Sequence, residues 1–132
     1  PETVRIYFRH FLSHWAHDPN AFEDSDIEAW VEAFSKPGRV ASCFKWYESW
    51  AEQRLRGVTE GPPDLPTISV PSRVLWGAED PVNKAAWRDN LGDYFDDVKI
   101  DTAPNAGHFV HFEQPDLANA EILAFFKSLG AA

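Results

Sequence analysis

The chain has no methionine, a single cysteine (Cys43) and few cations. One thiol excludes an internal disulfide framework. No basic start followed by an apolar run marks a secretory leader, so a reducing cytoplasm is the expected compartment. The longest apolar runs fall far short of the roughly 20 residues that a membrane-spanning helix needs. Twelve Lys and Arg against 21 Asp and Glu give a formal charge of −9. A surface of that sign repels phosphate, so neither nucleic acid nor an anionic membrane is an expected partner. Gly-rich phosphate loops and paired Cys motifs are missing, and no cofactor is expected. Without a methionine, Pro1 is expected to follow a removed residue or a cut.

Aromatic residues are abundant, with six Trp and ten Phe. They suit aromatic-lined cavities for a small neutral organic substrate, or simply an aromatic core. In the first half, Val4, Phe8, Phe11, Leu12 and Trp15 recur at helical spacing and predict a helix from Glu2 to about Ala16. Ser25 and Glu28 form a capping-box pattern before Ile27, Trp30, Val31 and Phe34, which predicts a second helix. Lys36-Pro37-Gly38 interrupts it, and Val40, Cys43, Phe44, Tyr47 and Trp50 mark a third helix running towards Leu55. The stretch from Gly57 to Pro66 is rich in Gly and Pro and reads as a linker.

After it the pattern changes. Ser72 to Trp76 reads as a buried strand ending at Gly77, Lys84 to Phe95 as a helix, and Val98 to Asp101 as a second strand. A loop through Gly107 and His108 then leads into a last helix ending near Gly130. The second half is therefore a β-α-β-α unit of a parallel sheet, an α/β architecture whose strands need neighbours that this chain does not supply. The expected division is a helical lid at 1–57, a linker at 58–69 and a sheet core at 70–132.

Open α/β sheets bind ligands at the carboxyl ends of their strands. The two loops expected there are Trp76-Gly77-Ala78-Glu79-Asp80-Pro81 and Asn105-Ala106-Gly107-His108-Phe109-Val110-His111. One holds an acid and the other a base. A carboxylate that accepts from one imidazole nitrogen fixes the tautomer and leaves the other nitrogen free to take a proton. Taken singly, an Asp before Pro is most often a turn residue and a His after Gly a loop residue. Their placement on successive strand ends makes the catalytic reading the stronger one.

These two loops, with Ile68-Ser69-Val70-Pro71-Ser72-Arg73-Val74-Leu75 before the first and Phe112-Glu113-Gln114-Pro115 after the second, resemble the end of an α/β-hydrolase. The subgroup is that of epoxide hydrolases and of haloalkane and haloacid dehalogenases. The resemblance implies Asp80 as the acid of the triad and His108 as the base, with Trp76 and Phe109 lining the substrate site. It leaves Glu79 as a bystander and gives His111 no chemical role, and it has the Glu-Gln-Pro stretch shaping the site entrance and capping the last helix. The first half resembles, more loosely, the helical cap of the subgroup, and Phe44-Lys45-Trp46-Tyr47-Glu48 its late cap helix. Tyr47 falls where an epoxide hydrolase tyrosine hydrogen-bonds the epoxide oxygen, while Tyr7 reads as a packing residue. The nucleophile elbow and the oxyanion-hole segment do not occur in these residues and are expected upstream, so the chain alone is expected to be inactive.

The placement of Asp80 favours an epoxide hydrolase or a Ser-dependent esterase; an epoxide hydrolase is the first expectation, and the alternatives are a Ser-dependent esterase or carbon-carbon bond hydrolase, or a haloacid dehalogenase. A non-enzymatic alternative is an isolated domain whose strand edges are completed by self-association. His10, His14 and His17 are spaced to share a helix face, but no carboxylate or thiol completes a metal site and none is assigned.

Overall fold

The apolar residues at helical spacing in the first segment lie on one helix, α1 (Glu2–Trp15). In this computed structural model residues 2–61, 64–88 and 90–130 are described. They continue as α2 (Asp24–Phe34), α3 (Arg39–Glu60), β1 (Ser72–Gly77), two short 3-10 turns (Ala85–Arg88 and Leu91–Tyr94), β2 (Val98–Ala103), α4 (Val110–Glu113) and α5 (Pro115–Ser128). The chain divides into two compact units, Pro1–Arg9 with Glu23–Pro66, and His10–Phe22 with Thr67–Ala132.

The first unit is helical. Phe8 is buried with its ring 4.7 Å from Phe34 and 5.2 Å from Trp30. Ile27 and Val31, one helical turn apart on α2, are buried as well. Arg5 holds both carboxylate oxygens of Glu28, Nε donating to Oε1 at 2.6 Å and Nη2 to Oε2 at 2.7 Å. Such fork-on-fork pairing fixes geometry as well as charge. α2 starts one residue before the expected Ser25. The N-cap is Glu23, so Asp26 rather than Glu28 stands at the third helical position, and its carboxylate reaches back to accept the Glu23 backbone N–H at 2.9 Å. α3 continues past Leu55 to Glu60, through Gly57, which had been expected to leave the helix. One glycine costs a helix interior about 1 kcal/mol, and a helix this long absorbs that. The turn comes instead at Gly61, whose φ of 88° is the left-handed conformation that glycine adopts without strain.

The second unit holds the sheet. β1 and β2 pair in parallel with Ser72 opposite Val98 and Gly77 opposite Ala103, so both strands end at the same level. A parallel bridge between Ile68 and Phe95 extends the pairing backwards. Arg73 on β1 ties this layer together, bonding Asp101 of β2 at 2.5 Å and the carboxylate of Glu121 on α5. Those bonds, Glu121 first, raise the guanidinium pKa and keep it charged although it is largely buried. The segment between the strands departs from expectation. Instead of one helix from Lys84 to Phe95 there are two 3-10 turns. Asn90 precedes the second with φ −96° and ψ 3°, outside the α-helical basin, and Gly92 follows within two residues. Asn and Gly are both poor helix formers. Trp87, in the first of these turns, is 62% exposed.

Candidate active site

The in-register strand ends launch the two loops side by side. Ala78 N–H donates to Ala103 O at 2.9 Å and Glu79 N–H to Ala106 O at 3.0 Å. Two glycines allow this closeness. A Cβ on Gly77 would meet the carbonyl oxygens of Gly107 and Ala106 at 1.9 and 2.7 Å, and one on Gly107 would meet Trp15 O at 2.4 Å and His17 N at 2.6 Å. Both contacts are with backbone, which cannot swing aside. The glycines of the two motifs are therefore packing requirements of the loops.

On the first loop Asp80 is buried, its side chain 7% exposed. Its Oδ1 accepts the backbone N–H groups of Val82 at 2.8 Å and Asn83 at 2.9 Å, an Asx-type turn that holds the carboxylate in place. The other oxygen, Oδ2, lies 2.9 Å from His108 Nδ1. A carboxylate can only accept, so Nδ1 carries a proton, and in the neutral imidazole Nε2 then presents a lone pair. The acid and the base expected from sequence thus lie within hydrogen-bonding distance of each other. Trp76 braces the same turn, its indole N–H donating to Asn83 O at 2.5 Å. An open recess of about 220 Å³ borders Trp76, Asp80, Asn83, His108 and Val110.

The imidazole is flanked by rings. Trp15 meets it edge-on at 5.0 Å and Phe109 at 5.4 Å, while Phe109 packs in turn against Phe22 at 5.1 Å. Phe109 thus has much of its ring engaged by neighbours. The His108 backbone N–H donates to Trp15 O at 2.8 Å. Sequence reasoning missed Trp15, and it missed Glu113. That carboxylate accepts from Gly107 N at 2.9 Å, Phe109 N at 3.1 Å and His17 N at 2.6 Å. Glu79, the neighbour of the acid, accepts from Ala106 N at 3.2 Å, so it joins the two loops without touching the imidazole. His111 is exposed.

Tyr47 lies in the other unit, exposed on α3, with its ring edge-on to Trp46 at 5.1 Å. Tyr7, read from sequence as packing, belongs to the same unit. Burial foremost, then the neighbouring Tyr47 phenol and Cys43 thiol, push its phenol above the ordinary value. Tyr7 also lines a small apolar cleft of about 110 Å³ with Phe8, Phe34, Cys43 and Phe44. Of the histidine trio, the His10 and His14 rings lie 4.1 Å apart, tilted by 34°, and His14 Nδ1 lies 2.8 Å from His10 O. Among the described residues no cluster of His, Cys, Asp and Glu could hold a metal ion, and no helix is long and apolar enough to cross a membrane.

The model of the alpha/beta hydrolase family matches residues 2–121. The chain is 28% identical to the soluble epoxide hydrolase of Corynebacterium sp. (strain C12), over 97% of this chain and 43% of that protein. Among solved structures, the epoxide hydrolase CorEH without ligand superposes with a TM-score of 0.74 at 27% identity, covering 96% of this chain and 43% of that one. Cfl2 from Burkholderia cenocepacia shares the fold with a TM-score of 0.74 at 23% identity, over 95% of this chain and 41% of its own. The chain therefore spans about two fifths of the length of these relatives, a partial α/β-hydrolase fold.

Proposed function

Since the chain belongs to the alpha/beta hydrolase family, we propose that it is the C-terminal part of an epoxide hydrolase-like enzyme whose water-activating base is His108. The observation that carries this reading is the 2.9 Å contact between His108 Nδ1 and Asp80 Oδ2. In the whole protein a carboxylate supplied upstream opens the epoxide ring, forming an ester and an alkoxide. Tyr47 donates its phenolic proton to that oxygen, a role open to an O–H donor aimed at developing charge. His108 Nε2 then takes a proton from water as the water oxygen attacks the ester carbonyl, and Asp80 stabilises the imidazolium so formed. Collapse of the tetrahedral species releases a diol and regenerates the carboxylate, and the proton left on the imidazolium returns through solvent to the Tyr47 phenolate, which restores both groups.

Residues 1–57 serve as the lid in this reading, and the substrate is a small neutral organic molecule, as the acidic balance and abundance of aromatic rings suggest. The same His108 and Asp80 would also serve an upstream serine. Epoxide hydrolysis is preferred because Tyr47 matches the cap tyrosine and the relatives include named epoxide hydrolases. The free thiol of Cys43 is compatible with a cytoplasmic setting. The test joins this chain to the half that precedes it in relatives and measures diol formation from an epoxide. His108→Ala should abolish turnover, and unchanged turnover would sink the proposal.

A further inference from the structure

A single carboxylate outside the acid-base pair collects backbone N–H groups from both sides of His108. Glu113 Oε1 accepts from Gly107 N at 2.9 Å and from Phe109 N at 3.1 Å, and Oε2 accepts from His17 N at 2.6 Å. The intervening amide, that of His108 itself, is taken by Trp15 O at 2.8 Å. Every peptide N–H from Gly107 to Phe109 is thus committed, and each acceptor is held in turn. Glu113 closes α4, where its own N–H donates to Phe109 O at 2.9 Å, and Trp15 ends α1. Hydrogen bonds to an ionised acceptor are roughly twice as strong as neutral ones. One carboxylate makes three of them, and removing it strands the two part-buried loop donors, Gly107 N and Phe109 N, while the exposed His17 N turns to solvent.

From this we infer that Glu113 is the positioning residue of the base: it sets the backbone of the 107–109 loop so that the His108 imidazole meets Asp80 and exposes Nε2. The inference rests on the reading of His108 and Asp80 as base and acid partner, and it assigns Glu113 no contact with substrate. A carboxylate is needed because Oε1 and Oε2 accept on opposite sides; a carboxamide would turn an NH2 towards one of the donors.

The test reads the imidazole directly, without turnover, in the complete enzyme labelled with 15N at histidine. A hydrogen-bonded Nδ1–H gives a low-field proton resonance, assigned to His108 by its disappearance in His108→Ala. Asp80→Asn should abolish it; persistence there would overturn the pairing itself and the role of Glu113 with it. Glu113→Ala should also lose the resonance, while Glu113→Gln, which keeps one acceptor oxygen, should retain it with solvent exchange faster by about tenfold, the fold-change for a 1.4 kcal/mol loss. Should Glu113→Ala fail to fold, Glu113→Gln decides alone. Ala118→Gly, at a buried position on α5, is the control for general loosening: it should lower the melting temperature and leave the resonance intact. Wild-type resonance and exchange in the folded Glu113 variants, with loss in Asp80→Asn, would overturn this inference alone. Loss in Ala118→Gly as well would also overturn it, by showing that any destabilisation has the same effect.

Discussion

The backbone N–H of His108 donates to the carbonyl of Trp15 at 2.8 Å, and the same Trp15 meets the imidazole ring edge-on at 5.0 Å. One residue therefore supports His108 through both its backbone and its ring, from a segment far earlier in the chain. Edge-on packing of this kind restricts the ring plane, and the carboxylate of Asp80 then selects the tautomer.

Asparagine at position 80 keeps the shape of the side chain, and its Oδ1 can still accept from Val82 and Asn83. Its other arm becomes a donor, so the imidazole must present the wrong tautomer. In the complete enzyme Asp80→Asn should lower kcat by roughly 10³- to 10⁴-fold, with little change in melting temperature. Steady-state kinetics beside a thermal melt measures both.

A methyl group on Gly107 has nowhere to go, because Trp15 O, His17 N and Ala16 C all lie within 2.8 Å of where it would be. Gly107→Ala should destabilise the chain by about 1–3 kcal/mol, as overpacking usually does. Urea unfolding followed by tryptophan fluorescence would report it, and a wild-type midpoint would show that the loop packs differently.

The loops explain what the sequence made legible. Asp80 and His108 could be found because each follows a glycine at a strand end, and strands announce themselves through short apolar runs. Trp15 and Glu113 could not. Glu113 and His17 are 96 positions apart, and their bond depends on tertiary placement that no local pattern encodes. The two 3-10 turns replaced an expected helix for a similar reason. Ala85, Trp87, Leu91 and Phe95 do show helical spacing, yet local backbone preferences at Asn90 and Gly92 outweighed it. In α3 the error ran the other way, since Gly57 was given more weight as a breaker than a helix reaching Glu60 allows it.

Arg5 holds the Glu28 carboxyl below its ordinary value, chiefly by direct hydrogen bonding. As pH falls, the unfolded chain therefore takes up this proton first. The contribution to stability is complete above the ordinary carboxylate range and is lost as pH drops through the lower value of the folded state. Glu28→Gln should melt slightly below wild type at neutral pH, the pair being exposed, and the two curves should converge in acid. A gap independent of pH would contradict the assignment.

Removing the Tyr47 phenol should cost the complete enzyme roughly 10²-fold in kcat on epoxides, the usual size for losing one donor to a developing oxyanion. Tyr7→Phe provides the comparison, since Tyr7 senses Tyr47 electrostatically. Equal losses in the two single variants would make them a working pair. No loss at Tyr47 would remove it from the chemistry.

The central claim is that His108 activates the water that hydrolyses a covalent ester, and intact-protein mass spectrometry of His108→Gln tests it most directly. In the complete enzyme, brief exposure to an epoxide should leave this variant carrying one added substrate mass that persists, because ring opening proceeds while hydrolysis does not. Wild type should carry almost none at the end of turnover. A His108→Gln variant that forms diol at the wild-type rate and shows no adduct would contradict the account.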